Sequence, residues 1–455
     1  LGGHMPNIKT APKMDELNID NLRTIAADIL VEAKKQGADQ VETGISIGEG
    51  LSVNARLGEV ETIEFHKDQG VGVTVYQGQK KGSASSTKMD AASIKEMVSA
   101  ACSIARYAED DPYSGLPDKE SLAVNFQDLS LSHPWQLSAE QAIEQAIECE
   151  DAARSYDAKI TNSEGASIQT FAGTRVLANS LGFNHGYHAT RHSMSCSVIG
   201  ELNDAMQRDY WYTVARKAAD LDAASKVGEM ASERTIKRLG AKAISTRKSP
   251  VMFAAEVSSG LIGHFISAIR GGNLYRKSSF LMDSIGQQVF PSFINIYEQP
   301  HLLQGMGSAT YDAEGVATSP RNIIDSGVVQ GYVLSSYSAR KLGMESTANA
   351  GGVHNLTVQA GDLDTQQMLR EMGTGLLVTE LIGQGVNTLT GDYSRGAAGY
   401  WVDKGEIQYP VEEITIAGNL KDIYQSIVAV GNDVDLRGNI RTGSILVGEM
   451  TIAGS

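Results

Sequence analysis

Val251-Met-Phe-Ala-Ala-Glu-Val-Ser-Ser-Gly-Leu-Ile-Gly-His-Phe-Ile-Ser-Ala-Ile-Arg270, followed by Gly271-Gly272-Asn273, reads as a short buried strand, a helix and a Gly-Gly stop. A strand feeding a helix that carries a histidine is a seat for hydrolytic zinc chemistry. A catalytic zinc takes three protein ligands, and this segment supplies one, His264. Whether the chain is an enzyme or half of one turns on that shortfall.

Outward from this stretch the chain reads as two domains, since 455 residues exceed one ordinary core. Residues 6–245 form an N-terminal mixed α/β domain with hairpins and long helices. Helical spacing runs over 21–36, 90–107, 138–156 and 221–239. Asp90 is placed as a cap, and Ser138 with Gln141 three residues on makes a capping-box pattern. Period-two alternation predicts strands at 41–47, 51–55, 71–76, 81–86 and 187–199, and a hairpin of 168–172 with 174–179 around Gly173. Residues 246–455 form a C-terminal β-rich domain with strands at 322–324, 328–334, 376–382, 398–402, 414–417 and 445–452, and short helices at 335–342 and 364–372. The class is α+β with large, mostly antiparallel sheets. The opening Leu1-Gly-Gly-His-Met5 reads as a cloning scar.

A net charge of −15 argues against nucleic acid and anionic membranes, both of which need clustered Lys and Arg. Three widely spaced cysteines, Cys102, Cys149 and Cys196, make neither a disulfide framework nor a zinc ribbon and suit a reducing compartment. With no secretory segment and no apolar run long enough to span a bilayer, a cytoplasmic location is expected. Dinucleotide, P-loop and α/β-hydrolase glycine motifs do not occur. His185, His188 and His192 form the densest histidine group, but their surroundings alternate. On a strand His188 and His192 stand about 13 Å apart, too far to share an ion. Ser-x-x-Lys occurs at Ser85/Lys88, Ser245/Lys248 and Ser338/Lys341, a pattern short enough to arise by chance. The carboxylates Glu109-Asp110-Asp111 and Glu412-Glu413 read as solvated loop charge.

Several further runs keep company with the 251–270 segment: Asp312-Ala-Glu-Gly-Val316, Ile324-Asp-Ser-Gly-Val-Val-Gln-Gly-Tyr332 and Ser338-Ala-Arg-Lys-Leu-Gly-Met344. Others are Gly383-Gln-Gly-Val-Asn387 with Thr390-Gly-Asp392, Val430-Gly-Asn-Asp433 and the closing Ile452-Ala-Gly-Ser455. In this order, over nearly the whole chain, they resemble the TldD/PmbA metallopeptidase family and within it the PmbA (TldE) branch. The resemblance implies a zinc-binding His-Glu-x-x-x-His on the helix of the catalytic branch, completed by a downstream cysteine. Here that motif falls on Ser259-Gly260-Leu-Ile-Gly-His264, so Ser stands at the first ligand position and Gly at the base position. No cysteine follows Cys196. Residues five apart point about 140° from each other on a regular α-helix. A ligand pair with that spacing needs a π-like widening, and Gly260 and Gly263 suggest an irregular helix here as well.

The resemblance therefore implies a chain with no cofactor of its own, with zinc in a TldD-type partner, the pair forming a cytosolic peptidase for unfolded peptides such as leader segments and antitoxin-like proteins. Self-pairing of the isolated chain stays open. Without ligands and base, no zinc-bound water of lowered pKa forms and nothing takes its proton. Arg270, Asn273 and Arg276 beyond the helix, and Asn387, Asp392 and Arg395 from the Gly-rich run, are candidates to line a substrate cleft. Two alternatives remain: an autonomous metal-independent hydrolase using His264 with Ser259 or a Ser/Lys pair, and a non-enzymatic peptide-binding scaffold.

Overall fold

In the computed structural model the described residues run from 18 to 454; the 1–5 segment read as a cloning scar lies outside them. The chain divides into two units. Among the described residues the first comprises 18–201, 208–236 and 311–317, and the second 202–207, 237–310 and 318–454.

The first unit carries α1 (Ile19–Lys35), β1 (Gln40–Arg56), β2 (Glu59–Gln77), β3 (Lys80–Ser86), α2 (Ala91–Tyr107), α3 (Ala139–Ser155), β4 (Ile160–Asn179), β5 (Asn184–Leu202), β6 (Ala205–Ala215) and α4 (Ala224–Lys237). The helices begin where side chains can replace missing backbone partners. Asp90 accepts from the Ser93 N–H, and Ser138 with Gln141 closes a reciprocal capping box. The strands form one sheet in the order β3-β2-β1-β4-β5-β6. Val41, Ile45, Leu51, Val53 and Ala55 of β1 are all buried at odd positions, hence on one face. The hydrophobic faces of α1 and α2 pack over one end of it, those of α3 and α4 over the other.

Several predicted breaks are absent. The hairpin expected around Gly173 is one continuous strand, β4, and 41–47 with 51–55 are likewise one strand, β1. Gly173 pairs with Gly48 across β1 and β4, and a Cβ on either would meet the Phe171 ring at 2.8 or 2.5 Å. These glycines make room for a ring lying across the strands and turn no corner. The exposed first half of β2 and the whole of β6 offer little alternating burial and went unread.

The second unit contains β7 (Arg247–Phe253), α5 (Ala255–Ala268), α6 (Gly271–Tyr275), β8 (Ile296–Glu298), β9 (Arg321–Asp325), β10 (Val328–Val329), α7 (Ser336–Leu342), β11 (Leu356–Val358) and α8 (Thr365–Met372). After these come β12 (Gly375–Ile382), β13 (Asp392–Asp403), β14 (Glu406–Asn419), α9 (Leu420–Gln425), β15 (Ile427–Val430), β16 (Ile440–Arg441) and β17 (Ile445–Ala453). The larger sheet runs β14-β13-β12-β7-β17-β15, and β14 also pairs with β17, so five of its strands close into a ring. β7 lies at its centre, parallel to β12 and antiparallel to β17. The run 328–334 pairs as a strand only over Val328–Val329, then leaves the sheet; Val333 bridges to Arg270. The expected Gly-Gly stop instead begins α6. A Cβ on Gly271 would stand 2.4 Å from the Ser338 Cβ, so glycine permits α6 to approach α7.

The smaller sheet, β10-β9-β8-β11-β16, is made of strands two to five residues long. The buried Glu298 carboxylate ties its surroundings together. It accepts from Arg321 Nε (2.9 Å), Asn349 Nδ2 (3.0 Å) and the His354 N–H (2.8 Å). Burial pushes this carboxyl up, but the His354 hydrogen bonds and the Arg321 guanidinium outweigh it and hold it below the ordinary value. The native state therefore binds fewer protons here than the unfolded chain. The resulting stability is complete above about pH 4.5 and drains away as pH falls through the lower native value. Glu298→Gln should cost about 3 kcal/mol at neutral pH. In urea unfolding against pH, that cost should shrink below pH 4.5; a pH-independent cost would contradict the linkage.

Candidate functional site

α5 grows directly from β7. Ala254, the residue between them, donates its N–H to the Val378 carbonyl (3.0 Å) as β7 ends. No side chain caps the helix from Ala254; one turn in, the Ser258 hydroxyl donates to the carbonyls of Phe253 (3.0 Å) and Ala254 (3.1 Å). Leu261, Ile262, Phe265 and Ala268 bury one face in the main core of the unit. Tyr424, wholly buried, donates its hydroxyl to the Leu261 carbonyl at 2.8 Å.

The helix is α-helical throughout Ala255–Ala268, so the expected irregularity at Gly260 and Gly263 is not there. Widening is required only where two ligands five apart must converge, and Ser259 with Gly260 create no such demand. A Cβ on Gly260 would touch nothing within 4 Å. Ser259, Gly260 and His264 are all half-buried. The His264 ring meets the Tyr393 ring edge-on, with centroids 5.9 Å apart and planes at 70°. Its Nε2 is buried and has no hydrogen-bond partner, and the Tyr393 hydroxyl makes no well-formed hydrogen bond. Burial, reinforced by the Arg395 guanidinium, lowers the His264 pKa, so the ring is neutral at pH 7. Burial pushes Tyr393 up to about 12, with Arg395 opposing.

Of the residues named from sequence, His264 and Arg395 come together. Tyr393 was missed, although period-two alternation from Arg395 along β13 points to it. The others have structural employment. Arg270 precedes α6, the Asn273 amide donates to the Ser267 carbonyl (2.7 Å), and Arg276 lies over the Tyr275 ring. Asn387 accepts from the N–H groups of Leu389 and Thr390, and Asp392 accepts from Thr390 and Asn419, so both belong to the β12–β13 turn. Ser338 closes the α7 capping box with Ser335 while Lys341 lies over Tyr275 and Tyr337. In the first unit, His188 and His192 bond Thr174 and Thr170 across the sheet, and His185 stacks on Phe126. Glu42 of β1, not singled out from sequence, is pushed up to about 7 by burial and by Glu314, with Lys81 opposing.

Models of three successive domains of the PmbA/TldA metallopeptidases match the chain: domain 1 at 41–105, the central domain at 132–239 and the C-terminal domain at 246–454. The metalloprotease PmbA of Escherichia coli O157:H7 is 51% identical over 94% of this chain and 95% of its own length. A PmbA homolog of Haemophilus influenzae is 46% identical over 94% and 96%. A crystal structure from Bacteroides thetaiotaomicron, of a protein assigned as a candidate modulator of DNA gyrase, superposes with a TM-score of 0.91. It is 26% identical and covers 96% of this chain and 99% of that one. The chain belongs to the PmbA/TldD metallopeptidase family.

Metal binding in such a family raises the question of fit. Among the described residues no three His, Cys, Asp or Glu side chains gather into a metal-binding group. The cation nearest His264 in effect is Arg395, which repels a dication as it already disfavours protonation of the ring. The residues around His264 do not fit a zinc ion. The unpaired hydroxyl gives a direct check of the site's burial: Tyr393→Phe removes an unsatisfied polar atom and should stabilise the chain by about 1 kcal/mol in urea unfolding. An equal loss would mean that the hydroxyl has a stabilising partner.

Proposed function

We propose that this chain is the non-catalytic subunit of a heteromeric zinc metallopeptidase, holding unfolded peptide substrates for a TldD-type partner that carries the metal. The observation that carries this reading is the α5 face itself. Ser259 and Gly260 occupy the ligand and base positions of the motif, and the remaining His264 is neutral and faces Tyr393 under the influence of Arg395. A single histidine falls short of the three protein ligands that a catalytic zinc takes, and with Gly260 at the base position no carboxylate stands ready to take a proton from its water. The family's description as metallopeptidases supports peptide hydrolysis at the level of the assembly. Peptides destined for cleavage adopt extended backbones, and the β-rich second unit suits their capture by strand addition. The proposal places the assembly in the cytoplasm; among the described residues no helix is long and apolar enough to cross a membrane.

An autonomous hydrolase built on Ser259 and His264 has no geometric support. On a regular helix the two diverge by about 140°, and the His264 Nε2 bonds to nothing.

The purified chain should contain no stoichiometric zinc by elemental analysis and leave an unstructured peptide uncut. Adding the TldD-type subunit should give cleavage that EDTA abolishes. One zinc per chain together with EDTA-sensitive cleavage by this chain alone would overturn the proposal.

A further inference from the structure

The side chains around His264 form a set suited to a ligand other than a metal. Tyr393 and Arg395 stand two apart on β13 and so project from the same face of that strand. His264 meets Tyr393 from α5 at a centroid distance of 5.9 Å. One half-buried guanidinium and two uncharged hydrogen-bonding groups are thus associated. The guanidinium commits its Nε to the Gly383 carbonyl (3.0 Å). This fixes the fork and leaves its terminal nitrogens to act as donors.

The two uncharged groups are unspent. Tyr393 is only 2% exposed, and its hydroxyl makes no well-formed hydrogen bond, the Arg395 guanidinium being the one polar group that acts on it, while the buried His264 Nε2 has no partner. Buried polar atoms without a good hydrogen bond are costly and rare, and two of them in contacting rings mark a place where something polar belongs. Gly260, one turn before His264 on the same helix face, leaves open space where a side chain would stand.

We propose that His264, Tyr393 and Arg395 form a subsite for a carboxylate of the peptide substrate. The charge count decides for this class of ligand. One guanidinium beside a neutral imidazole and a neutral phenol matches a single negative charge, which a planar carboxylate presents in the geometry that a guanidinium fork accepts. A doubly charged phosphate would need a second cation. The whole chain is strongly acidic, at −15, so its long-range field repels anions and selectivity rests on this local set. The carboxylate can come from the chain terminus of the peptide or from an acidic side chain. This inference rests on the reading of the chain as a substrate-holding subunit, but it concerns binding by this chain alone.

The test is fluorescence anisotropy on the full chain with three labelled decapeptides of Ala, Ser and Gly. One ends in a free carboxyl, one is its C-terminal amide, and one is the amide carrying a single internal Glu. The free acid should bind about tenfold more tightly than the amide, the scale of one charge-assisted hydrogen bond. Tight binding of the Glu peptide as well would identify side-chain carboxylates as ligands; weak binding would restrict the subsite to the terminus. Arg395→Gln should erase the preference. Tyr393→Phe, which removes only an unpaired hydroxyl and leaves folding intact, should reduce it severalfold. The acid alone should also shift the histidine NMR signal that is lost in His264→Gln. Equal binding of all three peptides, binding of none, or a preference untouched by both β13 substitutions would overturn the subsite. Zinc content and partner-dependent cleavage are read separately, so failure here leaves the proposed subunit role standing or falling on its own test.

Discussion

The second unit depends on one junction, the centre of its larger sheet, where β7 is held between β12 and β17 and turns straight into α5. Val251 and Phe253 are fully buried there, the helix that follows sinks Leu261, Ile262 and Phe265 into the same core, and Met252 is fully buried in a second cluster. At roughly 2 kcal/mol for each fully buried large apolar side chain, this junction is among the most strongly determined parts of the molecule. Closure of the sheet through β14 and β17 leaves the junction little room to shift. The half-buried face of α5 is therefore presented in a fixed orientation, whatever residues it carries. A rigid platform of this kind can keep its shape after the chemistry on it has changed.

The positive charge near this helix face comes from an arginine side chain. In this chain burial, reinforced by a guanidinium from β13, holds the pKa of the one histidine of the motif below its ordinary value. An arginine is charged at every physiological pH, needs no loading and activates no water. It can attract an anionic group, which suits holding a substrate better than cutting it.

Local features were the legible part of the sequence. The caps read at Asp90 and Ser138 both form, because a cap is decided by residues three or four apart, while Ser335 and Asp364, read as the first residues of short helices, serve as their caps. Glycines misled where their reason lay across the sheet: Gly173 reads as a turn until Phe171 is seen to lie over it and over Gly48. The small sheet was hard to read because strands of two or three residues carry no periodicity; Glu298, Arg321 and Asn349 hold it together across long sequence separations. At the site, Ser259, Gly260 and His264 were legible from motif spacing and Arg395 from its Gly-rich setting. Tyr393 was not, since its significance comes from the α5 ring it meets. Asn387 and Asp392 carry the residue types of a binding loop but serve their own turn.

The claim that the division of labour between two chains follows from this helix face can be tested most directly by anomalous X-ray diffraction at the zinc edge, using crystals of the assembled peptidase. The account expects an anomalous peak in the TldD-type subunit and none near His264 of this chain. A peak at about 2.1 Å from the His264 Nε2, the length of a zinc–nitrogen bond, would contradict it.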